Sequence, residues 1–219
     1  ELSLSRSEDE LSLEAEDLGV KEQAYYRHGM INMKWGEHKK AIEGFSNALK
    51  INENYITSRG DSLFWNSHYK KRLGLTYNLM GEYKKASQYY YKSYKQESKI
   101  DEEYSGIDAI KSICSLGYME ILLGNHESAK NSITKCVEWL NNNAERIDED
   151  YGAYSTYFPI YFYYNHLNDK TNAEIYLELA YKTVKEEKIK KFHANPNRDN
   201  DPKFFYCRDI INTYEENNY

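Results

Sequence analysis

Residues 29–48 read GMINMKWGEHKKAIEGFSNA, and the spacing inside this stretch decides the fold. Gly29, Gly36, Ala41, Phe45 and Ala48 are separated by seven, five, four and three residues. The same intervals recur in Gly74, Gly81, Ala86, Tyr90, Ser93 and again in Gly117, Gly124, Ala129, Ile133, Cys136. A degenerate fourth copy reads Tyr161, Asn168, Ala173, Leu177, Ala180. Small residues at these places let two antiparallel helices approach closely, and the central Gly supplies a left-handed turn between them. Asn is the residue that best replaces Gly there, as at Asn168. Each copy is therefore a helix–turn–helix unit. The units recur at 45, 43 and 44 residues, measured from Ala41 to Ala86 to Ala129 to Ala173.

The turns fall at Gly36-Glu37-His38, Gly81-Glu82-Tyr83, Gly124-Asn125-His126 and Asn168-Asp169-Lys170. Second helices follow from about Glu37, Glu82, Asn125 and Lys170. The first helix is expected from Ser7, where Ser7 and Glu10 form a capping box, with Glu1 to Arg6 frayed. Asn141 to Gly152 reads as a loop or frayed end, and His193 to Asp201 as a linker. Asp201-Pro202 then resembles an N-cap followed by Pro at the first helical position. Phe204, Phe205, Cys207, Ile210, Ile211 and Tyr214 have near-helical spacing, which predicts a last helix that closes the end of the array. Pro159 conflicts with an uninterrupted helix, since Pro removes a hydrogen bond and clashes with the preceding turn. A helix starting late, near Phe158, or a kinked one is expected there.

Over residues 22 to 187 this pattern resembles the tetratricopeptide repeat, a helical hairpin of about 34 residues. The units here are about ten residues longer, which longer helices account for. Asn32 and Glu120 stand where the family usually has an aromatic residue, and the Pro that usually ends a unit is absent. The resemblance implies an all-α, right-handed α-α superhelix of about four hairpins (8–55, 56–99, 100–143, 150–191) with a capping helix over 202–216, as one domain over 1–219. It also implies a concave groove lined by the first helix of each unit. Matched residue by residue, that groove shows Tyr26, Met30, Met33 and Lys34, then His68, Lys71, Leu75 and Asn78, then Lys111 and Tyr118, then Phe158, Phe162 and Asn165. Such an amphipathic lining suits a peptide or helix with a few apolar anchors. One subclass of the family grips a chaperone's C-terminal carboxylate with a Lys/Asn clamp. Tyr26 and Met30 occupy the clamp positions of the first unit, Arg72 and Ser115 two later ones, so that function is rejected.

The totals narrow the function further. Net charge is −6 and mean hydropathy −0.89, a balance that argues against nucleic acid as the main partner. The basic stretch Lys182, Lys185, Lys188, Lys190, Lys191 reads as a solvated helix end. Tyr is abundant, at 23 residues against 7 Phe, and its apolar body with a polar tip suits seams that are only half covered. Cys114, Cys136 and Cys207 have no paired spacing, which points to reduced thiols and a cytoplasmic setting. The chain starts at Glu1 without Met, which leaves room for a removed leader or an upstream domain. The six His are scattered, with His38 and His126 read as solvated turn residues. No zinc, Ca²⁺, P-loop, dinucleotide or nucleophile-elbow pattern occurs, so no metal, cofactor or catalytic residue is expected. The reading is a non-catalytic scaffold or adaptor that binds a protein or peptide segment, without membrane insertion. The alternative is the peptide-sensing domain of a bacterial regulator.

Overall fold

In a computed structural model, residues 8–55, 62–98, 102–143, 153–191 and 205–218 are described. Among them the helices are α1 (Glu8–Lys34), α2 (His38–Tyr55), α3 (Ser62–Leu79), α4 (Tyr83–Glu97), α5 (Glu102–Leu122), α6 (His126–Asn142), α7 (Tyr154–His166), α8 (Lys170–Lys191) and α9 (Phe205–Asn218). Helices pack in sequential pairs, α1 on α2, α3 on α4, α5 on α6 and α7 on α8. Each pair rests on the next through α2 with α3, α4 with α5, and α5 and α6 with α7. α9 lies against α7 and α8 at the end of the array. The described residues thus form an all-α helical solenoid. The capping box at Ser7, the linker over 193–201 and the Asp201-Pro202 cap lie outside them.

The repeated small residues hold the hairpins together as their spacing requires. Gly36, Gly81 and Gly124 have φ of 74°, 73° and 77°, and Asn168 stands in for them at 58°. Each turn closes with the same two backbone bonds. In the first, Gly36 N–H donates to Met33 O at 3.2 Å and Glu37 N–H to Asn32 O at 2.9 Å, the pattern that satisfies the orphan carbonyls of a helix ending in a left-handed residue. Ala41, Ala86, Ala129 and Ala173 are all buried at the crossing of their two helices. The large side chain four residues later covers the first Gly of its own unit. A Cβ on Gly29 would lie 2.7 Å from the Phe45 ring, on Gly74 3.1 Å from Tyr90, and on Gly117 2.7 Å from Ile133. Gly44 brings the two backbones still closer, with an added Cβ 2.7 Å from Gly29 N and 2.8 Å from Tyr25 O.

Apolar side chains gather into separate clusters along the array. Met33, Ala41, Phe45 and Leu73 join the first two units, and Ala86, Tyr90, Leu116 and Met119 join the second to the third. A larger cluster runs from Ile110 and Ile113 through Tyr157, Ile160, Leu177 and Val184 to Ile210 of α9. Between the smaller clusters the interior is polar. Glu22 accepts hydrogen bonds at Oε1 from Asn52 and from Tyr69, each at 2.9 Å. Ser67 and Ser112 donate to the two oxygens of buried Glu97, and Ser93 stands 3.0 Å and 3.1 Å from their hydroxyls.

Three expectations need correction. α7 does not begin near Phe158: it starts at Tyr154 and carries Pro159 inside, with Thr156 N–H bonded to Ala153 O at 2.8 Å. Pro159 is the sixth residue of α7, just past the four N–H groups that a helix start leaves free, so it costs the helix one i→i−4 bond near its beginning. Cys114 and Cys136 are joined by a disulfide between α5 and α6, with their Cα atoms 5.9 Å apart. Two residues in neighbouring antiparallel helices meet at whatever sequence separation the hairpin sets, here 22. The pairing removes isolated thiols as a reason to expect a cytoplasmic setting. Of the two turn histidines, His126 is exposed as expected and stacks on the exposed His166 with ring centroids 4.7 Å apart, whereas His38 is half-buried with its Nδ1 enclosed.

Candidate functional site

The first helices α1, α3, α5 and α7 carry every residue of the expected groove, and the structure brings many of them into contact across unit boundaries. Tyr26 Oη of α1 lies 2.9 Å from His68 Nε2 of α3. Lys71 of α3 bonds Asp108 of α5. Tyr118 of α5 meets Phe162 of α7 edge-on at 4.9 Å and Phe158 at 6.4 Å. Each of the three unit boundaries thus carries a side-chain contact between first helices.

Not all of that lining is open. Met33 is 1 % exposed, where Thr76 Oγ1 donates to its sulfur at 3.3 Å, and Asn78 and Phe158 are buried too. These three are core. Met30, Leu75, Tyr118 and Phe162 are half-buried against the apolar clusters. Burial pushes the Tyr118 phenol up to about 12, helped by the charge of Asp209 and by Tyr83. Lys34 is exposed and Lys111 half-buried. Asn165 is exposed and lines a cavity beneath α9, away from the other lining residues.

Lys71 is not a cation offered to a partner. It bonds Asp108 and lies 3.6 Å from Glu97 Oε1. Burial drives the Glu97 carboxyl above the ordinary range, and the charge of Lys71 with the two serine hydroxyls offsets this only in part. Burial acts on Asp108 in the same direction, but Lys71, Lys111 and His68 outweigh it and hold that carboxyl low. A single ammonium shared by two carboxylates ties α3, α4 and α5 together.

The residues that the sequence reading missed form an aromatic cluster around His68. Phe64 stacks on His68 at 6.1 Å, Trp65 meets Tyr26 at 6.2 Å and Tyr69 at 6.0 Å, and Phe64 remains 41 % exposed. The signal was available: Phe64 and Trp65 precede His68 by four and three residues on one helix, which puts all three on neighbouring positions. The array offers apolar and aromatic surface with a few cations. Among the described residues no group of three or more His, Cys, Asp or Glu is placed to hold a metal, and no helix is long and apolar enough to cross a membrane.

Comparison with protein families matches the tetratricopeptide repeat at residues 22–55, 72–99 and 110–143. Each of these segments contains one of the first three copies of the spacing pattern in full. The fourth unit falls outside the match, yet it has the same hairpin and the same left-handed turn at Asn168. A comparison with curated proteins finds no match. Repeats of this family generally mediate protein–protein interaction. With its matched repeats, its helix pairs and its recurring turn geometry, the chain belongs to the tetratricopeptide-repeat superfamily.

Proposed function

We propose that the chain is a non-catalytic binding module that takes a peptide segment of a protein partner along its first-helix surface. The observation that carries this reading is the half-open aromatic cluster of Phe64, Trp65, His68 and Tyr26 at the boundary of the first two units. Aromatic side chains in partly desolvated positions dominate binding energy at interfaces, and Phe64 stays substantially exposed where the rest of its cluster is packed. A second pair of rings, Tyr118 and Phe162, lies further along the same surface. A segment with two apolar anchors fits this arrangement. Half-buried Met30 and Leu75 add apolar surface, and the Met30 thioether is adaptable.

The test is affinity capture with the chain as bait in its native host, followed by measurement of the captured partner against variants. Phe64→Ala with Phe162→Ala is expected to weaken binding by about 1–3 kcal/mol, with helicity preserved by circular dichroism. Lys84→Ala with Lys130→Ala, at exposed second-helix positions, is expected to leave it unchanged. Loss of binding in the lysine pair and retention in the aromatic pair overturns the proposal. Co-purification of a free short peptide, with no stable protein partner, favours a peptide-sensing role at the same surface.

A further inference from the structure

The last repeat and α9 border an open cavity of about 310 Å³ that lies apart from the first-helix aromatic pairs. Its floor is apolar, made by buried Ala173 and Leu177 of α8. Tyr161 of α7 and Tyr214 of α9 contribute rings to its lining, and Glu174 and Glu178 stand one helical turn apart along it. Against these two carboxylates the lining has one cation, Lys170. Two further observations mark it as more than a crevice. Tyr161 is only 8 % exposed, yet its hydroxyl makes no hydrogen bond among the described residues while its side chain lines the cavity. Glu174 and Glu178 are exposed, and neither has an ion-pair partner among the described residues. The Tyr161 hydroxyl opens into the cavity rather than into the core, so an occupant that covers it without offering a polar group leaves it unpaired, which is costly, and an arriving N–H group satisfies it.

We propose that this cavity binds an aliphatic primary ammonium, with its methylene stem on Ala173 and Leu177 and its head among Glu174, Glu178 and the Tyr161 oxygen. The chemistry follows from the lining. An anion meets two carboxylates, and a purely apolar group leaves the Tyr161 hydroxyl unpaired. An ammonium on a flexible stem satisfies both the charge and the hydroxyl, and aromatic faces favour cations as well. Burial, with a contribution from Glu216, raises the Tyr161 phenol above its ordinary value, so at neutral pH the ring keeps its proton and adds no charge of its own. The ammonium has two sources, a lysine side chain on a peptide or a free diamine. Either one bridges α7 and α8 to α9, so its binding holds α9 in place.

The test is an NMR titration of the uniformly ¹⁵N-labelled chain with Nα-acetyl-lysine methylamide, with 1,5-diaminopentane and with uncharged Nα-acetyl-norleucine methylamide. Saturable shifts are expected at Asn165, Leu177 and Asn217 with at least one amine and none with the norleucine compound. Tighter binding of the lysine derivative assigns the site to a peptide side chain, and tighter binding of the diamine to a free amine. Glu174→Gln with Glu178→Gln should weaken binding by about tenfold or more, the scale of a lost charge-assisted contact, and isosteric Tyr161→Phe should weaken it too. Lys170→Gln should not weaken it. Hydrogen exchange in α9 should slow on binding. Equal shifts with the norleucine compound, undiminished affinity in the double Gln variant, or no shifts with either amine overturns the proposal.

Discussion

Gly44 provides the sharpest test of how the hairpins are built. It lies in the interior of α2, where Gly is unfavourable, so Gly44→Ala should gain about 0.8–1.0 kcal/mol of helix propensity. The structure predicts the opposite outcome. The new Cβ would sit 2.7 Å from Gly29 N, 2.8 Å from Gly29 Cα and 2.8 Å from Tyr25 O, all backbone atoms of α1. Carbon contacts are comfortable at about 3.5–4.0 Å, so α1 and α2 have to part by about 0.7 Å or more. Overpacking of this kind costs about 1–3 kcal/mol, and backbone atoms cannot rotate aside as a side chain does. The net expectation is destabilisation of about 1 kcal/mol, which lowers Tm by about 2–4 °C in a chain of this size. Gly106→Ala is the internal control. It is also helical, but its Cβ would meet the Trp139 ring at an ordinary 3.4 Å, so only the propensity gain remains and the variant should be more stable than the wild type. Urea unfolding followed by far-ultraviolet circular dichroism reads both. A stabilised Gly44→Ala, or the same sign of change in the two variants, would refute the close crossing of α1 and α2.

Other outcomes follow from the same contacts. Ala86→Leu forces a larger side chain into a fully buried crossing and should cost about 1–3 kcal/mol; an unchanged unfolding midpoint would mean that Ala86 is not at the crossing. Because burial raises the Glu97 carboxyl above its ordinary value of 4.5, its contribution to stability is full below that value and is lost as pH rises through the folded-state value. Glu97→Gln should therefore gain on the wild type as pH rises from 4 toward neutrality, and a pH-independent difference in unfolding midpoint would contradict this. Reduction of the Cys114–Cys136 disulfide, which closes a loop across 22 positions, should lower stability by about 3 kcal/mol on the chain-entropy estimate. Thiol titration of the unfolded, unreduced chain should find one reactive Cys among the three; three reactive thiols would rule the disulfide out.

The fold was legible because its determinants are local. Gly36, Gly81, Gly124 and Asn168 are the residues that tolerate positive φ, and Ala41, Ala86, Ala129 and Ala173 are small because two backbones cross there. A chain that spaces such residues identically four times leaves few alternatives to stacked hairpins. The Cys114–Cys136 pairing was not legible, because it depends on which positions of α5 and α6 face one another. The groove lining was legible only as a list of positions. The residue types at Met33 and Asn78 do not reveal that both are buried, Met33 against Thr76 of the next unit, and Lys71 looks like an offered cation until Asp108 and Glu97 arrive from other helices. The cavity under α9 was beyond reach for a similar reason: Glu174, Glu178 and Tyr214 share a site only once the last helix has docked.

The uneven apolar clusters imply an uneven response to force. Under tension applied at its two ends, a linear array parts at its weakest junctions first, since each unit touches only its neighbours. The seams between the first three units each rest on a small apolar cluster with buried polar groups alongside, whereas the third and fourth units share one large cluster with α9. The N-terminal hairpins are therefore expected to peel away in small early steps. The C-terminal block should yield last and in a single larger event, so that the molecule behaves as an anchored end with a yielding arm.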